Sequence, residues 1–195
     1  MHNAYAHLAE CATESARIAR GVDATLPSST ATPCHGWDLR ELINHWVLHS
    51  SYGLEHRALR TLVPDELTAR DFTAEPGWPE RYAAQLARAV AAWSSPTARE
   101  GTVDTGHGST PAGEMAAMLL METVLHGWDV ARATGQEFRL SGPAAACLLE
   151  TVEGTAALYR RYEGFAAEVT LPDDASDFER VLALSGRDPR GVVAS

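Results

Sequence analysis

The chain contains no lysine; all 16 of its basic residues are arginine. A Walker-type phosphate loop, a pyridoxal Schiff base and a kinase-type lysine all need that amine, so each is excluded. Cysteine is scarce: Cys11, Cys34 and Cys147 are widely spaced, with no C-x-x-C pair. An odd, scattered set argues against a disulfide framework and for reduced thiols in a cytoplasmic protein. Positive charge is short too, since 26 acidic residues outnumber the basic ones and leave a net charge of -10. A basic face is the usual footprint of nucleic-acid and anionic-membrane binding, so neither partner is expected. Apolar stretches are interrupted by Glu, His or Arg well before the roughly 18 residues a bilayer span needs. Met1-His2-Asn3-Ala4-Tyr5 lacks the basic-then-apolar order of a secretory signal. There is no G-x-S-x-G, and so no nucleophile elbow of the hydrolase type.

What the chain does have is enough apolar material for one core, at 195 residues and 45% hydrophobic. The apolar period is 3.6 almost throughout, which predicts an all-α bundle. The first helix runs from about Ala4 to Arg20 and stops at Gly21. Asp38 with Glu41 forms a capping box that opens a second helix, expected to reach about Leu62 before Pro64. Gly77-Trp78-Pro79 opens a third, which Ser94-Ser95-Pro96 closes. Residues 99–109 read as an extended pair or a loop. Thr110-Pro111 starts a fourth helix that continues to about Thr134 and Gly135, and a fifth spans about Pro143 to Glu163. Residues 166–171 (AAEVTL) read as a short strand, and Ser176 with Glu179 caps a last short helix ending at Gly186. The expected organisation is a metal-binding helical bundle over 1–165 with a small C-terminal appendage over 166–195. An exposed apolar face on the first or fifth helix would favour a homodimer.

The fourth helix carries the strongest chemical signal. Glu122 and His126 are at i and i+4, about 40° apart around the axis, and Asp129 falls on the same stripe among Met115, Met118, Leu119 and Leu125. A carboxylate and an imidazole in such a belt are costly to bury unpaired. They satisfy each other or a neighbouring Arg, or they hold a metal, for which imidazole plus carboxylate is the ligand set of a borderline divalent cation. A third ligand must then come from another helix. The second helix offers His45 and His49, also at i and i+4, and periodicity alone does not choose between them. Cys34 precedes a helix N-terminus, where a thiol can be activated, but reads more simply as a buried, inert cysteine. Gly106-His107-Gly108-Ser109 reads as a turn, Arg160-Arg161 as a solvated face, and Trp46 and Trp128 as core aromatics.

Two blocks carry a resemblance. Thr32-Pro33-Cys34-x-x-Trp37-Asp38-Leu39-Arg40-x-Leu42-x-x-His45 resembles the N-terminal signature of the mycothiol-dependent maleylpyruvate isomerase family, within the DinB-like helical superfamily. Glu122-x-x-x-His126-Gly127-Trp128-Asp129-Val130-Ala131-Arg132-Ala133-Thr134-Gly135 resembles that family's later metal-ligand helix, and Leu182 to Pro189 resembles the ending of a shorter subgroup. The resemblance implies a DinB-like four-helix bundle holding one divalent metal through His45, Glu122 and His126, and it selects His45 over His49. Zinc is the first expectation, with nickel or iron as alternatives, and mycothiol is the implied co-substrate. The implied activity is thiol S-transfer to a small electrophile, or isomerisation when the thiol is later expelled. The Ala- and Arg-rich composition is compatible with the actinobacteria that make mycothiol. Full-length isomerases of the family carry a substantial further C-terminal domain, so maleylpyruvate itself is not the expected substrate. His49 and Asp129 are near enough to support the ligands from behind. Two other readings keep the site: a metal-dependent isomerase, cyclase or oxygenase acting without thiol, and a non-enzymatic bundle that the metal merely pins.

Overall fold

The computed structural model describes residues 4–106 and 108–191. His107, in the Gly-rich turn noted above, lies outside the described residues. The main helices are α1 (Leu8–Arg20), α2 (Leu39–Val47), α3 (Leu54–Ala58), α4 (Asp65–Thr68), α5 (Trp78–Ser94), α6 (Ala112–Ala133), α7 (Gly142–Arg161) and α8 (Asp177–Leu184). A π-helical segment, Leu48–Gly53, joins α2 to α3 in one column. Between α5 and α6, β1 (Thr102–Asp104) pairs antiparallel with β2 (Ser109–Pro111), Val103 lying opposite Thr110. The α1 helix and the α2–α3 column both pack on α5 and α6, which makes the four-helix bundle; α7 lies on α6, and α8 on α7. None of the described helices is long and apolar enough to cross a membrane.

Local sequence explains most boundaries. Both capping boxes form: Asp38 accepts from the Glu41 amide while Glu41 accepts from Asp38, and Ser176 and Glu179 do the same at α8. The second helix departs from expectation twice. Its ladder widens over Leu48–Gly53, where Ser50 Oγ donates to the Trp46 carbonyl at 2.5 Å and Ser51 Oγ to that of Val47 at 2.6 Å. Each hydroxyl thus adds a bond to the carbonyl four residues back at the start of the wider turn. It also ends at Ala58, not Leu62, because Arg60 turns left-handed (φ 58°) and anchors its guanidinium on the carbonyls of Ala98 and Glu100. The fourth helix begins at Ala112, since Thr110 and Pro111 are taken up in the ribbon. Residues 166–171 form no strand; their backbone reaches α8 through Val169 N–H to the Ala183 carbonyl and meets no partner strand.

The core centres on Trp46, Tyr82, Trp93, Leu42, Leu86 and Leu120, all fully buried. The buried indoles keep their donors satisfied: Trp46 Nε1 bonds the Thr123 carbonyl at 3.1 Å and Trp93 Nε1 the Leu54 carbonyl at 2.8 Å. The first of these ties α2 to α6 beside His45 and Glu122. Gly127 allows the same close approach, because a Cβ there would stand 2.6 Å from the Phe138 ring and 3.3 Å from Trp46. At the far end of the chain, α8 closes in a Schellman turn: Gly186 (φ 82°) donates to the Ala183 carbonyl and Arg187 to that of Leu182. That turn delivers the Arg187 side chain to α6. Leu158 and Tyr162, late on α7 and just beyond it, are exposed.

Candidate metal centre

Three side chains from two helices converge where α2 crosses α6. His45 Nε2 lies 2.7 Å from Glu122 Oε1, and His126 Nε2 lies 3.5 Å from the same oxygen. One ligand atom from each of His45, Glu122 and His126 falls within 4.8 Å of the others. Two imidazoles and one carboxylate converging at that scale fit a divalent cation, and three protein ligands leave a tetrahedral ion one position open.

His126 is held from behind. Its Nδ1 faces Asp129 Oδ2 at 3.1 Å, which fixes Nε2 as the nitrogen turned towards His45 and Glu122. Asp129 is fully buried and gripped bidentately by Arg187, Nε to Oδ1 at 2.8 Å and Nη2 to Oδ2 at 2.7 Å. Arg187 also donates to Ser185 Oγ at 3.1 Å. The result is a chain of support from the C-terminal turn, through Asp129, to a candidate ligand. Trp37 covers the outer side, its ring 4.5 Å from that of His45 and 5.7 Å from that of His126.

The electrostatics follow from this packing. Burial alone would lower the His126 pKa, but the Glu122 and Asp129 carboxylates, helped by Cys34, outweigh it and raise it to about 10. Burial alone would raise that of Glu122, but His126 and His45 hold it at about 2. Asp129 is likewise held below its ordinary range: burial opposes ionisation, and Arg187 and His126 overcome it. His49 goes the other way, its pKa depressed by burial and by His45. At neutral pH the metal-free site therefore carries a proton on His126 that a cation must displace. Cation binding should release one proton near neutral pH, and affinity should rise with pH until about 10, where His126 is neutral before the cation arrives. Calorimetric titration in two buffers of different ionisation enthalpy checks this; a binding enthalpy independent of the buffer would contradict it.

The structure brings together all three predicted donors, and it places His49 beside them, not among them: its ring lies 4.3 Å from that of His45, tilted by 45°. Asp129 takes the supporting position expected of it. Cys34 differs from its reading as a buried residue. It is half-buried, and its sulfur, a His126 nitrogen and an Asp129 oxygen lie within 4.8 Å of one another, whereas Cys11 and Cys147 are the buried pair. Sequence reasoning assigns no role to Arg187 or Trp37. Only the glycine before Arg187 hints that its helix turns back.

The family model described as the mycothiol maleylpyruvate isomerase N-terminal domain matches residues 8–131. The chain belongs to that family. His45, Glu122 and His126 all fall inside the matched region, and Arg187 falls outside it. A crystal structure of the mycothiol-dependent maleylpyruvate isomerase matches with a TM-score of 0.66 at 20% sequence identity, covering 97% of this chain and 90% of that one. At that identity the likeness is one of fold. Against this solved isomerase, the large length difference expected from the family resemblance does not arise. No match was found among curated proteins.

Proposed function

We propose that this chain uses a divalent cation, zinc first, held by His45, Glu122 and His126, to activate a low-molecular-weight thiol for attack on a small electrophile. Family membership points to mycothiol as the thiol and to isomerisation or S-transfer as the reaction. The observation that carries the reading is the convergence of two imidazoles and a carboxylate, with Asp129 and Arg187 orienting one imidazole from behind. When bound, the cation would offer an open position to the thiol and favour its thiolate, the competent nucleophile, near neutral pH. The chain's own residues do the rest. Asp129 keeps the His126 proton on Nδ1, so that Nε2 presents a lone pair. Trp37 shields the imidazoles from water on one side. His49, its ring 4.3 Å from that of His45, is the nearby imidazole that would accept the proton the thiol gives up. Addition joins sulfur to the electrophilic carbon and leaves the electron pair as an enolate; expulsion of the same thiolate after rotation gives the isomer, whereas transfer of the thiol's proton to the enolate carbon gives the conjugate.

The 2.7 Å bond between His45 and Glu122 favours one rival, in which the cluster satisfies itself and holds no cation. Titrating the cobalt-loaded protein with N-acetylcysteine separates the two. Thiol activation predicts a saturable thiolate-to-cobalt charge-transfer band. Loaded protein with no such band would defeat the thiol reading, and failure to take up cobalt would favour the rival.

A further inference from the structure

Two clusters of ligand-type side chains meet in His126. One is His45, Glu122 and His126; in the other, the Cys34 sulfur, a His126 nitrogen and an Asp129 oxygen lie within 4.8 Å of one another. The second cluster is not a separate cation site. Both Asp129 oxygens are held by Arg187, and Oδ2 also faces His126 Nδ1. A cation beside Asp129 would have to displace that guanidinium or sit against its charge. What the second cluster contributes is a sulfur against the imidazole of a candidate ligand, close enough to help raise the His126 pKa.

Its loop fixes Cys34 there. Thr32 Oγ1 accepts from the Cys34 amide at 3.2 Å and donates to the Trp37 carbonyl at 2.8 Å. The Trp37 amide donates to the Cys34 carbonyl at 3.1 Å. An antiparallel bridge between Ala31 and Asp38 closes the loop at its base, and the α2 capping box follows at once. The backbone at Cys34 is thereby pinned on both sides, and χ1 is the torsion left to the sulfur. Trp37, on the same loop, meets the rings of both His45 and His126, so Cys34 and Trp37 approach the three donors together.

We infer that Cys34 is a fourth ligand, whose sulfur takes the position that His45, Glu122 and His126 leave open on the cation until an incoming thiol replaces it. The inference rests on the thiol reading and deepens it: the resting site is closed by the chain's own sulfur, and the co-substrate enters by exchange of one sulfur for another. The movement required is small. Zinc–sulfur and zinc–nitrogen bonds near 2.3 and 2.0–2.1 Å put two tetrahedral donors about 3.6 Å apart. The Cys34 sulfur already stands within 4.8 Å of a His126 nitrogen, and a change of χ1 rotamer closes the remainder. Thiolate is also the softest donor the chain can offer a borderline cation. In the exchange, the bond to the Cys34 sulfur breaks, the bond to the incoming sulfur forms, and Cys34 regains the proton that the thiol gives up. The charge of the site is therefore unchanged. Cys11 and Cys147 are buried and stand outside both clusters.

Cobalt(II) reports sulfur ligation without turnover. Cobalt-loaded wild type kept free of small thiols should show a sulfur-to-cobalt charge-transfer band. Cys34→Ser loaded to the same level should lack it, and Cys147→Ser should keep it. A loaded wild type with no band before thiol is added, or a band that persists in Cys34→Ser, would overturn the inference and leave the thiol reading standing. The thiol reading is then tested in Cys34→Ser, where N-acetylcysteine should bring the band in. Loaded Cys34→Ser with no band after that addition would defeat the thiol reading and leave Cys34 ligation standing, so the two failures are distinguishable. Wild type that takes up no cobalt would defeat both. A second readout needs no variant: saturating zinc should slow alkylation of Cys34 by iodoacetamide at least about tenfold, mapped by peptide mass spectrometry, because a ligated sulfur is no longer a free nucleophile. An unchanged alkylation rate in zinc-loaded protein would overturn the inference as well.

Discussion

His126→Ala is expected to abolish stoichiometric cation binding and to lower thiol conjugation at least about a hundredfold, since loss of a ligand should exceed the 10–100-fold cost typical of losing a supporting partner. The variant removes the one candidate ligand that touches both carboxylates of the cluster, Glu122 at 3.5 Å and Asp129 at 3.1 Å. What it leaves behind is a fully buried Asp129 still paired with Arg187, so the fold keeps that buried ion pair. Loss of activity with an unchanged far-ultraviolet circular dichroism spectrum would therefore report on chemistry and not on unfolding. Conjugation that persists near the wild-type rate in metal-free His126→Ala would contradict the mechanism.

The second large effect is expected at Asp129, and it concerns stability as much as function. Asp129→Ala strands Arg187, whose side chain is 10% exposed, without its bidentate acceptor. Removing one partner of a buried pair typically costs about 3–5 kcal/mol, because the charge that remains is uncompensated. The same change releases His126 Nδ1 and should weaken cation affinity about 10–100-fold. Denaturant unfolding of the metal-free protein isolates the first effect and cation titration the second. Adding Arg187→Met to Asp129→Ala should recover much of the stability and none of the affinity. A loss below about 1 kcal/mol in Asp129→Ala, the range of an ordinary substitution, would mean that Arg187 finds another partner and that the supporting chain is not as drawn.

How much is legible in the amino-acid order depends on the range of each interaction. Capping boxes are local, so Asp38/Glu41 and Ser176/Glu179 mark two helix starts by spacing alone. Glu122 and His126 are legible for the same reason, being one turn apart on one helix. The choice between His45 and His49 is not local. It depends on where α2 crosses α6 and on a ladder that widens just past Val47, and ideal 3.6-residue geometry carries neither. Family resemblance selects His45, and the crossing places that residue against Glu122. Arg187 is hidden by distance, since it reaches Asp129 from 58 positions along the chain. Its glycine turn is a local signal, but nothing local names the partner. Cys34 misleads for a related reason: a loop residue's burial is decided by what packs over it, and here His126 and Arg187 lie beside it. The expected strand over 166–171 fails because a strand needs a neighbour, and the chain supplies a helix.

The central claim is that His45, Glu122 and His126 hold a cation and do more than neutralise one another. Elemental analysis of tag-free protein, wild type beside Glu122→Ala and His126→Ala, tests it most directly. The account predicts close to one divalent metal ion per wild-type chain, zinc first, and none retained by either variant. Wild-type protein that holds no stoichiometric metal even after reconstitution would contradict it, and would leave the cluster as a self-satisfied ion network in a shared fold.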